Sequence, residues 1–177
     1  MKKGLVLATI LTLCSTTMVI AKEFNDARWQ WFYSNAHYTG KVDLNTLSYD
    51  PATDTATAWA VWLRTTGFQQ LQSYTIHYKD SSTNVREFYN YRTGSDEVLR
   101  HDYVDVSRKP APDSGEEALI TSVKGLVGRD TKLADYHKQQ AEEVQIREQK
   151  RIDDQKVAEK KAKHERNRDI LRGIFGI

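Results

Sequence analysis

Cysteine is nearly missing from this chain: Cys14 is the only one. Anything built from the residues after it has no disulfide, no thiol nucleophile and no cysteine-based metal site. Three prolines and nine glycines are too few for a low-complexity or collagen-like chain. No apolar run approaches the roughly 20 residues that a membrane-spanning helix needs. Charge of one sign is not in excess either. Lys and Arg number 26 against 24 Asp and Glu, so there is no strongly basic face for nucleic acid. Glycine-rich phosphate loops, the H-x-x-x-H spacing and the G-x-S-x-G elbow are all absent.

What is present begins at the front. Lys2 and Lys3 precede an apolar stretch over 5–13, and Val19 and Ala21 form a small-residue exit before Lys22. That pattern is a secretory signal peptide, 1–21, with cleavage between Ala21 and Lys22. Cys14 falls inside it, and the bulky Leu13 before it does not suit a lipidation box. The expectation is an exported protein, periplasmic, held at the cell surface or released. Stability then has to come from packing, for which four Trp, nine Tyr and five Phe supply material.

Two regions follow, with different periods. Over 22–128 there are 11 basic and 14 acidic residues, and 29–105 alternates with period two, broken by turn residues. Trp29, Trp31 and Tyr33 alternate with Gln30, Phe32 and Ser34. A strand over 41–49 bends near Asn45, and the Asp50-Pro51 turn follows it. In 55–63, Trp59, Val61 and Leu63 share one face while Ala56, Ala58, Ala60 and Trp62 share the other. Small residues there call for an element packed closely on top, which makes this a central strand. Further strands are expected over 74–79, 84–91 and 97–105. The short polar connections 79–84 and 92–96 read as hairpin turns.

After Pro110 and Pro112 the period becomes helical. Ser114 and Glu117 stand at capping-box spacing. Ala118, Leu119, Ser122, Val123 and Leu126 recur on one face of a helix that ends near Gly125 or Gly128 and covers the sheet. The extension 129–177 carries 13 basic and 10 acidic residues, with neither Gly nor Pro over 130–172, and reads as one long charged helix. Its apolar residues hold no heptad, so no coiled coil is expected. The fold class is α+β: an antiparallel sheet of about six strands with a packed C-terminal helix, then the long helix.

The chemistry-bearing residues are scattered. His77, His101 and Asp102 are the nearest thing to a metal cluster, but neighbours on a strand point to opposite faces. Ser114 is explained as a helix cap. The acidic pairs at 116–117, 142–143 and 153–154 suit a helix start or a solvated helix. No catalytic, metal or cofactor-binding set emerges, and an enzyme is not expected. Tyr74, Tyr78, Tyr89, Tyr91 and Tyr103 lie on neighbouring strands, either as core and margin or as anchors for a protein partner. Ile170, Leu171, Ile174 and Phe175 form a terminal apolar stripe beside Arg166, Arg168 and Arg172. That stripe is suited to a partner, to the protein's own sheet, to a second copy or to an anionic surface.

In its order of motifs the chain resembles the surface-adhesin protein E family. The residues that carry the likeness are Trp29-x-Trp31, Val42-Asp43, the 57–63 strand with Val61-Trp62, and Pro112-x-Ser114-x-x-Glu117-Ala118-Leu119. They span 29–126. Asp113 stands where the family has Gly, and Val123-Lys124-Gly125 stands where it has Cys. The resemblance implies an antiparallel sheet closed by a helix, and an adhesin that binds host matrix or serum proteins. It transfers no binding residue, because the shared motifs are scaffold. The other function left open is an envelope structural or assembly factor acting through the C-terminal helix.

Overall fold

Alternating small and large residues in Thr55–Arg64 let a helix sit on one side of that strand and aromatic side chains on the other. The computed structural model, which describes residues 24–176, shows the rest of the chain arranged around it. The leader and its Ala21–Lys22 cut lie outside the described residues. The strands are β1 (Trp29–Ser34), β2 (Tyr38–Asp43), β3 (Ser48–Asp50), β4 (Thr55–Arg64), β5 (Phe68–His77), β6 (Ser82–Arg92) and β7 (Val98–Arg108). All neighbours are antiparallel, in the order β1-β2-β4-β5-β6-β7. The bend near Asn45 is a single 3-10 turn over Leu44–Thr46, capped by the Asp43 carboxylate, which accepts from the Asn45 N–H. It splits the segment into β2 and β3, and both pair with β4. The fold is the α+β arrangement expected.

The fifth strand is longer than the sequence pattern suggests. It starts at Phe68, because backbone pairing to β4 and β6 on its two sides outweighs the polar run Gln69, Gln70, Gln72 and Ser73. A second departure lies in β1. A bulge between Trp31 and Tyr33 puts Phe32 into the core at 7 % exposure and leaves Trp31 55 % exposed.

Helix α1 (Gly115–Leu126) covers β1, β2 and β4. Ser114 Oγ accepts from the Glu117 N–H, and Glu117 Oε2 accepts from the Asp113 N–H, so the first turn is satisfied from both directions. Leu119 and Val123 pack with Val42, Ala56, Ala58, Ala60, Tyr74, Ile76 and Val85 in the main core. Each fully buried aliphatic contributes about 1.5–3 kcal/mol. At the far end Gly128 adopts φ +63, which glycine takes without strain, and the chain turns into α2 (Arg129–Phe175). At 1.5 Å per residue α2 is about 70 Å long.

Candidate functional site

The face of the sheet opposite α1 carries a second set of aromatic side chains. Part of it is roofed by the segment just before β1, around Phe24. Phe24 is 2 % exposed and packs edge-on against Trp29 at 4.8 Å, over Val61, Leu63 and Leu71. Lys41 Nζ pins this strap by donating to the Phe24 carbonyl at 2.9 Å and to Asn25 Oδ1 at 2.7 Å.

Beyond the strap the face is open among the described residues. Register places Tyr89 opposite His101 and Glu87 opposite Tyr103. The Tyr89 and His101 rings stack at 4.1 Å with 5° between their planes, a directly opposed cross-strand pair. Trp59 lies 6.0 Å from Tyr89, and Tyr103 meets His101 edge-on at 4.8 Å. Glu87 sits among these rings, accepting from Tyr89 Oη at 2.7 Å and bonded to His101 Nε2 at 2.8 Å. Those hydrogen bonds, that from Tyr89 foremost, hold the Glu87 carboxyl below its ordinary range. The same bond pushes the Tyr89 hydroxyl up to about 12. The effect is to lock ring orientations: carboxylate, phenol and imidazole hold one another on a flat surface. Tyr103, at 78 % exposure, is the most solvent-facing of the large aromatics.

The remaining tyrosines named in the sequence go elsewhere. Tyr74 is 1 % exposed on the α1 side; it accepts from Trp62 Nε1 at 2.9 Å and donates to Gln72 Oε1. That makes it a core residue and not a contact for a partner. Tyr91 is on the open face but 4 % exposed, with the Phe24 ring 6.5 Å away. Tyr78 lies just past β5, half-buried, with the Arg129 guanidinium 5.0 Å from its ring centroid. Of the five tyrosines named as core or partner anchors, only Tyr89 and Tyr103 join the open ring cluster. Trp59 and His101 complete it. Ile170 and Leu171 are 53 % and 55 % exposed near the end of α2, far along the chain from the sheet. The side chains of Ile174 and Phe175 lie outside the described residues.

Two further features escaped the sequence reading. Arg129 forms a bidentate pair with Asp54, 2.7 Å from Nε to Oδ1 and 2.6 Å from Nη2 to Oδ2, and Tyr49 Oη donates to Asp54 Oδ1 at 2.9 Å. This cluster ties the first residue of α2 to the β3–β4 turn. The second is a cleft of about 570 Å³ between the start of α1 and the sheet, walled by Tyr38, Trp62 and Tyr74. In it Arg108 pairs with Glu116 at 2.8 Å, while burial raises the Glu116 carboxyl. Among the described residues no group of three His, Cys, Asp or Glu is arranged to hold a metal ion. Among the described residues no helix is long and apolar enough to cross a membrane. Comparison with protein-family models, with curated proteins and with solved structures returns no match.

Proposed function

We propose that this chain is an exported, non-catalytic binding module that recognises a protein partner through its open aromatic face, as an adhesin does. The observation that carries the reading is the ring cluster of Trp59, Tyr89, His101 and Tyr103. Its members are held by Glu87 and by cross-strand stacking before any partner arrives. Rigid aromatics present large contact area at little cost in side-chain entropy, and so dominate the energetics of protein interfaces. The motif order shared with surface-adhesin protein E domains points the same way. The test is binding of the protein to immobilised matrix and serum proteins, repeated with Tyr103→Ala and His101→Ala. At least one ligand should bind, with a loss of about tenfold or more in each variant, no change in melting temperature for Tyr103→Ala and a drop of no more than about 4 °C for His101→Ala. Silence across the panel, or binding indifferent to both substitutions, removes the reading.

The long exposure of α2 favours a second reading, an envelope assembly factor. From His137 to Arg172 every residue except Ile152 is exposed. Light scattering on the whole chain and on one stopped after His137, which keeps the Arg129 anchor, separates the two. A monomer in both cases, with no partner retained by the helix, excludes assembly through α2.

A further inference from the structure

The charges of α2 are sorted along its length. Residues 129–155 hold six basic and seven acidic side chains, whereas 156–172 hold seven basic and three acidic. Three of the six basic side chains of the first stretch are paired. Arg147 pairs with Glu143 at 3.1 Å, Arg151 with Glu148 at 2.6 Å, and Arg129 with Asp54 and Asp130. Among the described residues, none of the seven Lys and Arg between 156 and 172 makes an ion pair. The positive charge of this end is therefore unspent, and it coincides with the exposed Ile170 and Leu171.

Helical geometry sorts the same residues around the axis. At about 100° per residue, positions 170, 171, 174 and 175 fall within one arc of about 140°, with Asn167 near its middle. Arg168 borders one side of that arc and Arg166 the other, and Arg172 lies about 60° beyond the Arg168 side. Glu165 and Asp169 lie on the opposite face. Apolar residues in the centre, guanidiniums on both shoulders and carboxylates turned away form the pattern of a segment lying at a lipid–water interface. An acidic protein groove would need cations in the contact, not around it. A second copy of this end would bring like charges together.

We infer that the far end of α2, from about residue 166 onward, docks on an anionic phospholipid surface. The apolar arc enters the headgroup boundary while Arg166, Arg168 and Arg172 meet lipid phosphates. This holds independently of what the aromatic face binds. It gives the 47-residue helix a use as a spacer, rooted in the sheet by Arg129 and attached at its other end.

The experiment uses the full chain and reads the helix end directly. Cys14→Ser removes the only native thiol, and Asn167→Cys carries an environment-sensitive fluorophore on the apolar arc. Vesicles containing phosphatidylglycerol should shift the emission to the blue, vesicles of phosphatidylcholine alone should not, and added salt should reverse the shift. Arg166→Gln, Arg168→Gln and Arg172→Gln together should weaken partitioning about a hundredfold. Ile170→Ser with Leu171→Ser should weaken it about tenfold. Both variants alter only solvent-facing positions, which circular dichroism verifies. No emission change on anionic vesicles overturns the inference, as does a change that ignores lipid charge or survives both sets of substitutions. A shift that tracks protein concentration without lipid overturns it in favour of self-association.

Discussion

Asp54→Asn is the sharpest probe of how the long helix is rooted. The substitution keeps the size of the side chain, and Asn tolerates the positive φ of +56 found at this position, so the backbone is undisturbed. It removes a carboxylate whose side chain is 6 % exposed and whose partner, Arg129, is 18 % exposed. Deleting one member of a buried ion pair costs about 3–5 kcal/mol. Here the amide oxygen still accepts one bond, and Arg129 retains Asp130 at 2.8 Å, so about 2 kcal/mol is expected. For a chain of this size that lowers the melting temperature by about 4–8 °C. The pH dependence supplies a second reading. The Arg129 hydrogen bonds, outweighing the opposing effect of burial, hold the Asp54 carboxyl below its ordinary range. The stabilisation is thus complete above the unfolded carboxyl value, about 3.9, and is lost as pH falls through the lower folded value. Thermal melts followed by circular dichroism should show the full gap between variant and wild type at pH 7, narrowing as pH drops below about 4. A variant that melts within 1 °C of wild type at pH 7, or a gap as wide at pH 2 as at pH 7, refutes the argument.

Two further substitutions test neighbouring parts of the fold. Burial first, then the bond to Asp54, pushes the Tyr49 hydroxyl up to about 12. Its contribution is therefore intact below about pH 10 and lost as pH rises toward 12, and Tyr49→Phe should flatten that alkaline limb in pH-dependent melts. A methyl group at Gly115 would stand 2.8 Å from Trp62 Cζ3 and 3.2 Å from Tyr33 Cδ1. Gly115→Ala should accordingly cost about 1–3 kcal/mol in urea denaturation and change tryptophan emission, despite the better helix propensity of alanine.

The parts of the fold that were legible are those decided within a few residues. Ala56, Ala58 and Ala60 alternate with large side chains, and only a close-packed neighbour makes use of such a face; α1 is that neighbour, with Leu119 and Val123 fully buried against it. Ser114 announces the helix because a cap acts on the N–H three residues ahead. The absence of Gly and Pro over 130–172 is enough to sustain a helix that needs no core. In contrast, Asp54 and Arg129 are 75 residues apart, and nothing local marks either as the other's partner. Each looks like one more surface charge until the β3–β4 turn and the start of α2 are brought together.

The aromatic face was illegible for a different reason, which lies in the sheet itself. Val85 points into the core under α1, and a strict period of two from Val85 would send Glu87, Tyr89 and Tyr91 the same way. They do not go there. Between Ser73–Glu87 and Tyr74–Val85 the register skips Arg86, a bulge in which one extra residue on β6 reverses the side facing the core for everything after it. The same irregularity displaces β7, so that Val104 packs against the core while Tyr103 follows Glu87 outward. One inserted residue therefore both ends the core and creates the open ring cluster. Alternation alone would have placed Tyr74 and Tyr89 on a common side, whereas the bulge assigns the first to stability and the second to recognition.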